Sequence, residues 1–173
     1  MNNYSIWLIP QKKDKKIFEE NIIKISKKYN SPKFIPHITL IPKIEGSIDD
    51  ISEKILKAIQ NNSSFNLEFN SIKTTDNYWR SVFLEGKKSE KLSKLYESVK
   101  TKVKTNILNI DKEYYPHFSL IYGDYSNEQK KEIISLIKYK ELPKEILIDR
   151  ISLIDMNSEN PSKWIVLQEY KLK

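Results

Sequence analysis

The 173-residue sequence contains no cysteine, three glycines and two histidines, and arginine occurs only at positions 80 and 150. The absence of cysteine excludes disulfide frameworks, thiol nucleophiles, iron–sulfur clusters and Cys-ligated zinc. Glycines at 46, 86 and 123 form no Gly-rich phosphate loop, which removes the P-loop and dinucleotide-fold readings. Two arginines argue against a sequence-specific DNA reader, because Arg forks are the usual readers of guanine edges. No apolar stretch approaches the ~20 residues of a membrane span. Residues 1–10 lack the basic region of a signal peptide, so a soluble cytoplasmic protein with no membrane association is expected. With only His37 and His117, and no His-Glu or His-x-x-x-His spacing, no metal site is expected.

The composition is otherwise that of a folded chain, with 39% hydrophobic and 31% charged residues. The length suits one domain, here residues 1–173, or two small lobes sharing a core, and such a chain buries roughly two-thirds of the surface exposed when unfolded. The net charge of +7 comes from 28 lysines and two arginines against 23 carboxylates. Part of that lysine excess reflects the coding bias of an AT-rich genome. The resulting field still attracts anions and favours phosphate-bearing partners.

Tyr4 to Ile9 reads as a buried strand stopped by Pro10. Phe18, Ile22, Ile25 and Tyr29 give one helical face over residues 13–29, broken by Ser31-Pro32. His37 to Ile41 is a short strand between Pro36 and Pro42. Ser47-x-x-Asp50 starts a helix to about residue 60, and Ser89 caps one with Leu92, Leu95, Val99 and Val103 inward. Alternation at Phe65, Leu67 and Phe69, and again at Val82 and Leu84, marks two strands around a loop at Asp76-Asn77. His117 to Tyr122 is a strand, and Ser126-x-x-Gln129 caps a helix to about residue 139. Residues 146–154 and 164–170 read as the last two strands. The order resembles two similar halves, so the expected class is α+β: a bilobal arrangement of two antiparallel sheets facing a central cleft, with helices outside.

Two segments repeat. Pro36-His37-Ile38-Thr39-Leu40-Ile41 matches Pro116-His117-Phe118-Ser119-Leu120-Ile121, with equivalent positions 80 residues apart. Both histidines of the chain lie in this repeat. Residues i and i+2 of a strand share a face, so His37 lies with Thr39 and His117 with Ser119, while Ile38, Leu40, Phe118 and Leu120 face the core. If the halves pair about a twofold axis, two imidazoles and two hydroxyls surround one cleft. That set suits phosphodiester cleavage: one imidazole accepts a proton while the other donates one. Thr39 and Ser119 can donate to the non-bridging oxygens, where charge builds.

Two His-x-Thr/Ser motifs, one per half and flanked by hydrophobic residues, resemble the signature of the two-histidine (2H) phosphoesterase superfamily. The chain is most similar to the plant and yeast type of cyclic nucleotide phosphodiesterase, with a LigT-like fold. The likeness extends to residues 5–10, 32–37, 78–84, 116–122 and 150–164. It implies hydrolysis of 2′,3′-cyclic nucleotides to 2′-phosphates, or of ADP-ribose 1″,2″-cyclic phosphate, without cofactor; a monomer is expected. An alternative within the superfamily acts on RNA or on 2′–5′-linked signalling oligonucleotides, and a non-enzyme alternative is an RNA-end binding module. Local symmetry leaves open which histidine is base and which is acid, with His117 activating water and His37 protonating the leaving oxygen as the working assignment.

Four aromatic residues and one arginine complete the candidate substrate-binding set. Tyr122 matches a cleft-facing tyrosine of the family, yet alternation from His117 points it to the core. Reaching the cleft needs a twist or bulge at the strand end, where Gly123 makes one possible. Tyr78 and Trp79 are candidates to stack on a base, with core packing as the alternative, and Trp164 is a candidate cleft wall. Arg150, in an otherwise apolar strand, either binds phosphate or pairs with a carboxylate.

Overall fold

The computed structural model describes residues 3–109 and 113–173. Among them lie β1 (Asn3–Leu8), α1 (Lys12–Tyr29), β2 (Ile38–Glu45), α2 (Ile48–Ile59), β3 (Phe65–Thr74), β4 (Val82–Gly86), α3 (Glu90–Lys102), β5 (Ile107–Asn109), β6 (His117–Ile121), α4 (Asn127–Leu136), β7 (Glu145–Ile148), β8 (Arg150–Asp155) and β9 (Ile165–Lys171). Serine hydroxyls start three of the helices as their spacing predicts. Ser47, Ser89 and Ser126 accept from the backbone N–H of Asp50, Leu92 and Gln129, and the Gln129 side chain closes a full capping box at α4.

The strands pair antiparallel in the order β7-β3-β4-β6-β2-β1-β8-β9, with β5 added beside β2. This is a curled α+β sheet with helices packed on it: α1 on β6, α3 on β2 and β3, α4 on β4. The core fills the space between, as where the Phe18 ring of α1 lies 4.2 Å from Phe118. The curl follows from connectivity. Residues 146–154 form two strands rather than the one expected, because the chain crosses at Asp149 from β7, paired to β3, to β8, paired to β1 and β9. One end of the strand path, β7, is therefore one residue apart in sequence from β8, the strand next to the other end, and two consecutive peptide units span at most about 7 Å. The sheet has to bend back on itself.

The two halves meet where β2 touches β6, through the pair Ile38 and Phe118. These are equivalent positions of the repeated segment. Antiparallel pairing of equivalent residues places a local twofold axis between them, and it joins the two halves into one path. Each half repeats the same neighbour relation: Trp7 opposes Thr39 as Phe83 opposes Ser119, and Ile6 opposes Ile41 as Val82 opposes Ile121.

Both registers shift by one residue at the same place. Between the pairs Trp7–Thr39 and Ile6–Ile41, Leu40 is extra; between Phe83–Ser119 and Val82–Ile121, Leu120 is extra. Such a bulge resets the alternation of faces. Ile121 thus turns to the core with Val82, and residue 122 turns to the face of Ser119. In the first half the same reset, followed by a second shift before Tyr4–Ile44, carries β2 past Pro42 to Glu45. The proline, expected to end this strand, sits where the ladder is already irregular.

Candidate active site

The face of the sheet opposite the helices carries a cleft of about 460 Å³. His37, Thr39, His117 and Ser119 all line it, so the two repeated segments do converge. Trp79, Tyr122 and Trp164 line it as well. Tyr122 faces the cleft because of the bulge at Leu120, not because of Gly123. Its ring stacks on Phe34 at 3.8 Å, which leaves it only 3% exposed, and burial pushes its phenol pKa far up. Trp79 is 47% exposed at the mouth, and its ring lies 5.7 Å from Trp164. Trp164 sits 5.8 Å from Trp7 and donates its indole N–H to Ser158 O, so the three indoles form a continuous wall.

Two of the expected binding residues take other places. Tyr78 does not line the cleft; its ring packs behind, against Trp79 and Tyr122. Arg150 also lies outside it. Arg150 pairs with Asp149 at 3.0 Å and Glu169 at 3.2 Å, the carboxylate alternative, because β8 begins beside β9 and away from the axis.

The two imidazoles are held in the same way. His37 Nδ1 meets Ile35 O at 2.5 Å, and His117 Nδ1 meets Tyr115 O at 2.9 Å. A carbonyl can only accept, so Nδ1 donates in both, and Nε2 is the atom of each ring that exchanges a proton. In each case the carbonyl belongs to the residue before the repeated proline.

Their surroundings differ. His37 lies flat on Trp7, with ring centroids 3.4 Å apart and planes 4° from parallel, and is 6% exposed. Burial lowers its pKa to about 3, with the nearby His117 adding to the effect and the Ile35 carbonyl opposing it. His37 is therefore neutral at pH 7. His117 is half-buried against the edge of Phe83, at 5.8 Å.

The hydroxyls differ too. Ser119 Oγ donates to Trp79 O at 2.8 Å, tying the cleft floor to the turn of residues 78–80. That turn is held at every carbonyl: Gly123 N–H donates to Tyr78 O at 3.0 Å and Thr75 Oγ1 to Arg80 O at 2.6 Å. Ser119→Ala leaves Trp79 O without this donor. The variant is expected to lose about 1 kcal/mol in urea unfolding, with a shift of indole emission as Trp79 loosens. Unchanged emission and stability would show that the serine does not hold the turn.

Sequence reasoning missed Trp7, Lys43, Asn77 and Arg80, all of which line the cleft. Trp7 was within reach, since alternation along β1 sends Ile6 and Leu8 to the core and Ser5 and Trp7 to the other face. Lys43 and Arg80 were not, because their position depends on the bulges and on the 78–80 turn. These two cations are opposed by no carboxylate among the described lining residues.

Comparison with known proteins places the chain in a family and a fold. The family described as "Cyclic phosphodiesterase-like protein" matches residues 1–144. The chain belongs to that family. It is 21% identical over 128 residues to the cyclic phosphodiesterase of Arabidopsis thaliana, covering 74% of this chain and 69% of that one. Its fold is similar to TT0787 of Thermus thermophilus (TM-score 0.69, 14% identity, 98% and 97% of the two chains covered). It is similar also to LigT of E. coli complexed with 3′-AMP (TM-score 0.64, 12% identity, 99% and 98% covered). Membership of the cyclic phosphodiesterase-like family makes this chain a phosphoesterase of the two-histidine superfamily. Among the described residues no helix is long and apolar enough to cross a membrane.

Proposed function

We propose that the protein hydrolyses 2′,3′-cyclic nucleotides to 2′-phosphates by acid–base catalysis between His37 and His117. The observation that carries this reading is the convergence of both His-x-hydroxyl pairs in one cleft that holds two cations and no carboxylate among its described lining residues. An anion enters such a cleft favourably, and the two imidazoles then flank it. Trp7, Trp79 and Trp164 offer a wall for the base, since stacking on an indole is worth about 1–3 kcal/mol. LigT, of the same fold, has been solved with 3′-AMP and with ATP, both nucleoside phosphates.

The difference in burial supports His37 as base and His117 as acid, the reverse of the working assignment made from sequence. Neutral His37 takes a proton on Nε2 from water, whose oxygen attacks phosphorus. The P–O3′ bond breaks, and His117 gives its Nε2 proton to the departing O3′. Thr39 donates to a non-bridging oxygen. Ser119 does so once it turns away from Trp79 O. Solvent returns the proton between turnovers.

The test is a product assay in EDTA with 2′,3′-cyclic AMP, ADP-ribose 1″,2″-cyclic phosphate and a 2′–5′ oligoadenylate, resolved by chromatography. Conversion of 2′,3′-cyclic AMP to the 2′-phosphate is the expected result. Turnover of the oligoadenylate alone would replace this reading with the oligonucleotide one, and binding without turnover of any would leave a binding module. Loss of activity in EDTA would point to a metal enzyme.

A further inference from the structure

The protein has two arginines, and the fold treats them oppositely. Arg150 is neutralised by Asp149 and Glu169 on the outer strands. Arg80 forms no ion pair among the described residues, and its Nε is buried with no hydrogen-bond partner. A buried donor left unsatisfied needs an explanation, because its desolvation is not repaid. Every backbone carbonyl of the 78–80 turn is held, so the Arg80 main chain is fixed. The guanidinium rests over the rings of Phe83 and Tyr115, at 5.8 and 5.4 Å. Contact with two rings fixes its plane, and its terminal NH groups, rather than the buried Nε, are left to bind an anion in the cleft it lines.

Arg80 also lies off the axis. By the register of β1 and β4, position 80 corresponds to Tyr4, which is buried in the core at 2% exposure. A phosphate between the histidines meets both halves alike, whereas a cation present in one half alone serves the asymmetric part of the ligand. The indole wall and the Arg80 side chain leave the 78–80 turn in different directions: Trp79 goes towards Trp164, and Arg80 towards Phe83 and Tyr115.

We infer that Arg80 is a specificity-determining residue that binds a second phosphate, one that the substrate carries besides the cyclic phosphate. The preferred substrates are then nucleoside cyclic phosphates bearing a further phosphate, such as a 5′-phosphate. This deepens the function proposed above and rests on it for the reaction, though not for the binding.

The experiment has two arms. In the first, kcat/KM is measured for 2′,3′-cyclic AMP and for its 5′-phosphorylated form with wild type, Arg80→Gln and Arg80→Lys. Arg80→Gln should cost ~10–100-fold on the 5′-phosphorylated substrate, chiefly in KM, since a charge-assisted contact is lost. The loss on 2′,3′-cyclic AMP should be several-fold smaller, since Lys43 still attracts anions to the cleft, and Arg80→Lys should recover part of the preference. Equal losses on both substrates, or none on either, overturn the proposal. In the second arm, quenching of indole fluorescence reports the affinities of adenosine 2′-phosphate and adenosine 2′,5′-bisphosphate. Wild type should prefer the bisphosphate by at least ~10-fold, and Arg80→Gln should bind the two alike. Equal binding by wild type overturns the proposal whatever the turnover. Absence of turnover with this preference intact would instead sink the proposed reaction alone.

Discussion

His117→Ala is expected to lower kcat on 2′,3′-cyclic AMP by ~10²–10⁴-fold, and His37→Ala by a similar factor, since each removes one positioned proton transfer. Two further measurements separate the roles. A base whose pKa is held at about 3 by burial remains unprotonated through the mildly acidic range. The kcat/KM of wild type should then show no fall between about pH 7 and pH 5 from protonation of His37. The acid is tested with a leaving group that needs no proton. A phosphodiester of p-nitrophenol should restore much of the activity of His117→Ala and little of that of His37→Ala. The reverse pattern would return the base to His117. Full activity in both single variants would remove the two-histidine mechanism altogether.

Acid should destabilise the fold through the same buried imidazole. In the unfolded chain His37 takes a proton near its ordinary value of 6.5, whereas in the folded protein it does so only near 3. Between those values the unfolded state binds more protons, so protonation favours unfolding. The stability that His37 contributes is complete above about 6.5 and falls by about 1.4 kcal/mol per pH unit below it, as far as about 3. Urea unfolding at pH 7.5 and pH 5.0 reads this directly. Wild type should lose about 2 kcal/mol more between the two than His37→Gln, whose amide does not titrate. An identical pH dependence in the two proteins would show that His37 is hydrated, and the assignment of His37 as base would lose its physical support.

Both predictions rest on an asymmetry that the repeated segment conceals. Position for position, the two motifs are equivalent in sequence, and the carbonyl contacts at Nδ1 are equivalent in the structure. What lies across the strand is different. Trp7 offers a flat indole on which His37 stacks, while Phe83 presents itself edge-on to His117. The register makes Trp7 and Phe83 counterparts, so one side-chain difference on a neighbouring strand separates the chemistry of two identical imidazoles.

The elements, the class and the four residues at the centre of the cleft were legible in the amino-acid order. They follow from local rules: serine caps, the 3.6 and 2.0 periodicities, and the i, i+2 relation that sets each hydroxyl beside its histidine. The repeat supplied the one long-range fact, that the two motifs meet. Everything that depends on register had to wait for the folded chain. The bulges at Leu40 and Leu120 turned Tyr122 into the cleft against the alternation of its strand. The crossing at Asp149 took Arg150 out of reach and gave it carboxylates. The 78–80 turn, gripped by Ser119, Thr75 and Gly123, set Trp79 and Arg80 at the cleft and Tyr78 behind it. A strand's side-chain period is two, so one extra residue exchanges its faces. Whether that residue is accommodated depends on the partner strand, which lies far away in sequence.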